Sequence, residues 1–289
     1  MFEIKRITQV YDKGTEIPFD DNSKIVIMSD CHRGDGSYAD NFSRNQNLFF
    51  GALTQYYHHN YTYIELGDGD ELWENDKLSK IFNLYDNIFW LMSKFHQESR
   101  LHVIFGNHDI VKKKNRLEEY DLHFPGIIFH EGIKLKHSNN KLMLFLLHGH
   151  QADFFNDRFW VLSRFLVRYF WRPLELVGVN NPMSTAANPK RKSNVEKILI
   201  KWVRNRNQPL VAGHTHRAVF PKEGESCYFN SGSCVHPRCI TALEIVNSNI
   251  ALVKWSYKTK FDGTLFVGRD YLAGPESLEY LCKDFNQNS

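Results

Sequence analysis

Five times along this 289-residue chain a short apolar run stops at a cluster of Asp, Asn, His and Gly. Ile25 to Met28 leads into Ser29-Asp30-Cys31-His32, and Tyr63 to Leu66 into Gly67-Asp68-Gly69-Asp70. Leu101 to Phe105 leads into Gly106-Asn107-His108-Asp109, Leu142 to Leu147 into His148-Gly149-His150, and Leu210 to Ala212 into Gly213-His214-Thr215-His216. Runs this short, rich in β-branched and aromatic residues, predict buried strands. Helical spacing lies between several of them. Leu78, Ile81, Phe82, Tyr85, Ile88, Phe89, Met92 and Phe95 predict one face of a long helix. Strands alternating with helices predict an α/β fold with function at the strand C-terminal ends. The later chain is strand-rich, over Cys227 to Asn230, Ile240 to Val246 and Ile250 to Trp255.

Composition narrows the class. With 42% hydrophobic and 14% aromatic residues the chain can bury a sizeable core, which excludes disorder as its main state. A formal charge of +3 is too small to imply nucleic acid or membrane, so no nucleic-acid partner is expected. The five cysteines are odd in number and form no C-x-x-C pair, which argues against a disulfide framework and a thiolate zinc site. Met1 to Val10 lacks an apolar h-region, and the longest apolar run, Leu142 to Leu147, is far short of a membrane span. A cytoplasmic location is the expectation.

One stretch differs from the rest. Over residues 153–207 strand patterns give way to basic, aromatic sequence, read as a helical cap inserted over the site. Phe154 to Arg172 predicts a helix with Arg158, Arg164, Arg168 and Arg172 on one stripe and large apolar residues around the rest. Ser193 and Glu196 form a capping box for a second helix, with Lys197, Lys201 and Arg204 on its polar face.

The five clusters make chemical sense together. Asp, His and Asn without thiolates suit Mn, Fe, Zn or Co. D-x-H and G-H-x-H each place two ligands two residues apart, so both can turn into one pocket. Glycines before Asp68, Asn107 and His214 allow turns where a side chain would collide. Six to eight ligands are too many for one ion and suit a two-metal centre. All five motifs in this order would arise by chance on the order of once in a million such chains.

This set, D-C-H, G-D-G-D-E, G-N-H-D, H-G-H and G-H-T-H, resembles that of the calcineurin-like metallophosphoesterases over about residues 24 to 250. The resemblance implies a single domain, residues 1–289, built as a four-layer αββα sandwich with the helical cap inserted in it. It implies two divalent or trivalent ions, manganese first and iron or zinc as alternatives. Asp30, His32, Asp68 and His216 would hold one, and Asp68, Asn107, His148 and His214 the other. A hydroxide bridging the metals would attack a phosphomonoester, phosphodiester or pyrophosphate. His108 would stand beside the scissile phosphate, with Glu71 and Asp109 as further catalytic candidates. Glu71 occupies the place where the family usually has Asp, and His150 stands where some relatives have Asp, leaving His148 or His150 as ligand.

Within the family, Gly67-Asp68-Gly69-Asp70-Glu71-Leu72-Trp73 and the cap resemble the UDP-2,3-diacylglucosamine pyrophosphatases, although their usual G-N-R-D is G-N-H-D here. That implies a small or lipid-linked phosphate substrate, acyl chains against the cap, and peripheral contact at the inner face of the membrane. Arg217, Lys197, Lys201 and Lys190-Arg191-Lys192 are the candidates for substrate phosphate. The competing readings are a non-catalytic scaffold on this fold and a peripheral membrane module. Cys31 is expected to pack, and His58, His59, His96, His102, His123, His130, His137 and His236 to be ordinary histidines.

Overall fold

All five apolar runs are strands in the computed structural model, which describes residues 2–114, 117–139, 142–175 and 188–283. The first half runs α1 (Phe2–Lys13), β1 (Thr15–Phe19), β2 (Lys24–Met28), α2 (Gln46–His58), β3 (Thr62–Leu66), α3 (Leu78–Leu84), α4 (Asp86–Gln97), β4 (Leu101–Ile104), α5 (Glu118–His123) and β5 (Phe129–His130). There follow β6 (Gly132–His137), β7 (Met143–Leu147), α6 (Phe154–Arg158), α7 (Trp160–Leu166), α8 (Arg172–Glu175) and α9 (Pro189–Arg206). The chain ends on β8 (Leu210–Ala212), β9 (Tyr228–Asn230), β10 (Cys239–Val246), β11 (Asn249–Thr259), β12 (Leu265–Ser277) and α10 (Leu278–Leu281).

The strands form two sheets, ordered β1-β6-β7-β8-β9 and β12-β11-β10-β2-β3-β4-β5. Successive side chains of a strand face opposite ways, and three separate cores follow from that. Ile25 and Ile27 of β2, Ile64 and Leu66 of β3, Leu144 and Leu146 of β7, and Val211 of β8 meet between the sheets. Val26, Met28 and Tyr63 face the other way, onto α2 and α4. Phe145, Leu147, Leu210 and Ala212 face α1 and α9. The layers are therefore helix, sheet, sheet, helix. Strands covered on both faces read as unbroken apolar runs rather than alternations.

Some expectations need correction. The long helix over Leu78 to Phe95 is two helices, because Tyr85 leaves helical geometry and its hydroxyl donates to Asp40 at 2.5 Å. The expected cap over 153–207 divides. Helix α9 is no cap, since Val195, Leu199, Trp202 and Val203 are buried in the core under the five-stranded sheet. It opens at Pro189, four residues before the expected capping box, with the Asn188 side chain accepting from the Arg191 N–H at 3.1 Å. Asn188→Ala is expected to cost about 1 kcal/mol, read as a shift in the urea midpoint. Among the five cysteines, Cys227 and Cys282 are joined by a disulfide within the inter-sheet core. The odd count excluded only a fully paired set.

The remaining cap is α6 and α7, continued by a π-helical turn over Val167–Trp171 into α8. Its side chains are arranged inside out. Phe155, Phe159, Val161, Leu162, Phe165, Tyr169 and Phe170 are 43–67% exposed. Arg168 instead turns inward and donates to the carbonyls of Leu72, Trp73 and Asn75 at 2.8–2.9 Å. Arg172 donates to the Glu74 carbonyl and to Asp35, each at 2.6 Å. Residues 176–187, within the expected cap, lie outside the described residues. Among the described residues no helix is long and apolar enough to cross a membrane.

Candidate metal centre

The loops following β2, β3, β4, β7 and β8 converge at one end of the sandwich. Asp30, His32, Asp68, His214 and His216 all adopt positive φ, between 49° and 65°. Left-handed backbone is uncommon outside glycine, and it is found where the surroundings hold strain at a functional site. Here the kinks turn both polar residues of D-x-H and of G-H-x-H to the same side. Interloop bonds fix them, with the Asp30 N–H donating to Gly67 at 3.0 Å and the His32 N–H to Asp68 at 2.8 Å. Two glycines are obligatory for the approach. A Cβ on Gly67 would stand 2.4 Å from the His148 ring, and one on Gly106 would stand 2.1 Å from an Asp68 oxygen.

The ligand atoms fall into two groups, Asp30 with His32 and His216, and Asp68 with His148 and His214, each spanning no more than 4.8 Å. Each carboxylate is half committed. Asp30 Oδ2 accepts from the His214 N–H at 3.0 Å, and Asp68 Oδ1 accepts from the His108 N–H at 2.8 Å. Their other oxygens face the imidazoles. Asp30 Oδ1 is 3.1 Å from His216 Nε2. Asp68 Oδ2 lies 3.1 Å from His148 Nε2 and 3.8 Å from His32 Nε2, so it stands between the groups. His148 Nδ1 donates to the Leu66 carbonyl at 2.8 Å, which leaves Nε2 for a ligand bond.

Unpaired atoms test the fit to metal. Asp30 Oδ1, His148 Nε2 and both amide atoms of Asn107 are buried without a hydrogen-bond partner among the described residues. Buried polar groups are normally paired, and a metal satisfies oxygen and imidazole lone pairs of this kind. The residues fit metal.

Glu71 spans two imidazoles, with Oε2 2.7 Å from His32 Nδ1 and Oε1 2.7 Å from His108 Nδ1. The carbon that distinguishes it from Asp gives it this reach. Burial works against its charge, but His108 and His32 hold its pKa down to about 2. Burial likewise opposes the His108 cation, yet Glu71 and Asp68 push it up to about 9. Trp73 stacks on His108 with ring centroids 4.4 Å apart. The loop carrying Glu71 and Trp73 is the one clamped by Arg168 and Arg172.

Other expected residues stand elsewhere. Asp109, a catalytic candidate, accepts from the Gly69 and Gly106 N–H groups at 3.1 and 2.7 Å and pairs with Lys112 at 2.6 Å. It braces two motif loops and faces none of the ligands. Arg217 is bound to Glu196 through both its Nε, at 2.9 Å, and its Nη2. That pairing satisfies Glu196, which the capping box had assigned to the helix start. Lys197 and Lys201 are exposed on α9, on the face away from its buried residues. His148 lies in the Asp68 group, whereas His150 is grouped with Glu131 and Asp157. Burial holds the His150 imidazole well below its ordinary pKa, so it is neutral. Cys31 is buried in the core under α2 and α4.

Sequence reasoning missed Asp153 and a buried ion network, whereas Arg191 and Lys192 were among its candidates. Asp153 approaches His214 Nε2 at 3.5 Å and pairs with Arg191 at 2.7 Å. Although burial pushes its carboxyl up, His214 and Arg191 hold it well below the usual range. Lys192 is half-buried; burial lowers its pKa, while Glu196 and Asp30 favour its charge. Lys192, rather than Lys197 or Lys201, thus lies within electrostatic reach of the ligands. Beneath the centre, Arg33, Glu65, Asp70, Asp109 and Lys112 form a fully buried ion network. A charge at Glu65, inside an otherwise apolar strand, was the available signal.

No protein-family model and no curated protein sequence matches the chain. Among solved structures it is similar to Vps29 from Chaetomium thermophilum, at 11% identity and a TM-score of 0.40, covering 87% of this chain and 96% of that one. The same protein complexed with the cyclic peptide RT-D3 gives 11% and 0.38, covering 86% and 95%. A putative 5′-nucleotidase from Staphylococcus aureus in complex with alpha-ketoglutarate gives 12% and 0.39, covering 91% of this chain and 58% of that one. The helix-sheet-sheet-helix layering rests on the chain's own sheets and cores, and the two ligand groups sit where the strands of both sheets end.

Proposed function

We propose that this chain is a metal-dependent phosphoesterase of the calcineurin-like kind, hydrolysing a phosphomonoester, phosphodiester or pyrophosphate. The observation that carries the reading is the pair of ligand groups joined through Asp68 Oδ2, beside the unpaired Asn107 amide. Asp30, His32, Asp68 and His216 would hold one ion, and Asp68, Asn107, His148 and His214 the other. When bound, such a pair supplies Lewis acidity to the phosphoryl group and makes water a nucleophile near neutral pH. The chain's own groups do the rest. Glu71 fixes the rings of both His32 and His108. With Nδ1 committed to Glu71, His108 carries its reactive proton on Nε2, where it stabilises charge on the phosphate or protonates the leaving oxygen.

That role predicts a pH dependence. His108 keeps its proton through neutral pH and loses it as the pH rises through about 9. Activity requiring this proton is full below that value and falls above it. Glu71→Gln removes the carboxylate and is expected to move the alkaline limb down toward about 6.5, the ordinary histidine value. A kcat–pH profile with the same limb in both proteins would remove His108 as the acid.

For the substrate we propose a lipid-linked pyrophosphate of the UDP-acylsugar type, with Mn the first choice of metal. What supports it is the inside-out cap, whose exposed aromatic face adjoins the clamp on the loop carrying Glu71 and Trp73, and Lys192, which Asp30 affects electrostatically. An exposed apolar face with Arg158 beside it also suits peripheral contact with a bilayer. The test is phosphorus NMR of Mn-loaded protein with UDP-2,3-diacylglucosamine and, separately, a simple aryl phosphodiester. Hydrolysis of both supports the whole reading. Hydrolysis of the diester alone keeps the phosphoesterase and discards the lipid. Hydrolysis of neither by metal-loaded protein favours a non-catalytic scaffold.

A further inference from the structure

We propose that Glu131, His150 and Asp157 form a separate cation site, taking one divalent transition-metal ion through one imidazole and two carboxylates. These residues share no member with the two ligand groups of the centre, and one ligand atom from each lies within 4.8 Å of the others. His150 Nε2 is 4.0 Å from Asp157 Oδ1. Two ligand atoms about 2 Å from one ion stand up to about 4 Å apart, so little movement is required.

The second observation is His150 itself. Its side chain is fully buried, and neither ring nitrogen has a hydrogen-bond partner among the described residues. An imidazole nitrogen can supply a lone pair to a cation, and this ring stands beside two carboxylates at more than hydrogen-bond distance. A cation between them satisfies both.

Charge points the same way. Arg6 reaches Asp157 through Nε at 3.1 and 3.2 Å and Glu131 through Nη2. One guanidinium against two carboxylates leaves one negative charge among these direct contacts. Burial raises the Asp157 pKa and Glu131 adds to the rise, with Arg6 and, more weakly, Lys113 opposing. Each carboxylate has lone pairs that Arg6 does not use, so the guanidinium can stay on the outer side and orient the ligands, as hydrogen-bonded groups around metal sites do. One nitrogen and two oxygens suit zinc, manganese or cobalt better than calcium or magnesium.

The placement gives the ion a task. Glu131 immediately precedes β6, His150 follows β7, and Asp157 lies in α6, the first helix of the cap. An ion here ties the root of the cap to the five-stranded sheet.

The experiment counts metal. Protein stripped with chelator, reloaded with Mn or Zn and desalted is analysed for ions per chain, with folding checked by circular dichroism. Wild type is expected to hold one ion more than His150→Phe and one more than Asp157→Asn. In an Asp68→Asn/His214→Ala/His216→Ala background, which takes ligands from both groups of the proposed centre, one ion should remain and should be lost when His150→Phe is added, which separates the two sites. Asp157→Asn carries the comparison if His150→Phe does not fold. Equal metal content with and without the substitutions overturns the proposal and leaves Arg6 as the cation those carboxylates hold.

Discussion

Asn107→Leu is expected to lower turnover by orders of magnitude while making the metal-free protein more stable. Both amide atoms of Asn107 are buried without a partner among the described residues, and a buried polar group left unsatisfied costs about 1–3 kcal/mol. Leucine has similar bulk and nothing to satisfy, so the apoprotein should gain on the order of 1 kcal/mol once imperfect packing is allowed for. With metal the sign reverses, because ions that bind only the folded state stabilise it and a lost ligand forfeits that gain. Turnover should fall by on the order of 10²–10³-fold, as for removal of a single group that stabilises the transition state. Melting curves with chelator and with Mn read both effects. A variant keeping the full Mn-dependent rise in Tm would show that Asn107 holds no metal.

Lys112→Met should be the most destabilising single change near the site. Its ammonium lies 2.6 Å from Asp109 and 2.8 Å from Asp70, all with fully buried side chains. Arg33, equally buried, holds Asp70 and Glu65 at 2.7 Å. Removing one partner from a buried ion network leaves charge uncompensated and costs about 3–5 kcal/mol. The loss reaches the centre through Asp109, whose oxygens hold the backbone of Gly69 and Gly106 beside Asp68 and Asn107. Denaturant unfolding should show the loss of stability, and Mn titration of the folded variant a weaker affinity. Lys112→Arg keeps the charge and should recover part of both.

How much of this was legible depended on whether a residue's meaning is local. Buried parallel strands read as apolar runs, and glycine and histidine punctuate their ends, so β2, β3, β4, β7 and β8 with their seven ligand candidates were visible in sequence. Strand β12 was not, because it is a largely exposed edge with charges such as Arg269 and Asp270 along it. Tyr85 fits a helical stripe perfectly well, yet its backbone leaves helical geometry and its hydroxyl reaches Asp40, a partner 45 positions away. Glu196 looked like a capping residue until Arg217, 21 positions away, claimed it. Helix α9 looked like cap because its basic face is as conspicuous in sequence as its apolar one, and sequence does not say which face a sheet will cover. Of the expected stripe of four arginines, Arg168 and Arg172 turn together, inward to backbone carbonyls, while Arg158 packs on Phe2 and Phe154 and Arg164 on Trp160, because the segment is broken into shorter helices.

The distribution of ligands over the two sheets bears on the mechanics of the molecule. Asp30 and His32 leave the seven-stranded sheet and His216 the five-stranded one; Asp68 and Asn107 leave the former, His148 and His214 the latter. Each ion would therefore act as a rivet through both plates of the sandwich, and the thickness of the filling between them would set the grip. Trimming Ile64 or Leu144, which touch no ligand, would then alter metal affinity from a distance. In this architecture the hydrophobic interior doubles as the gauge that sets the jaws of the site.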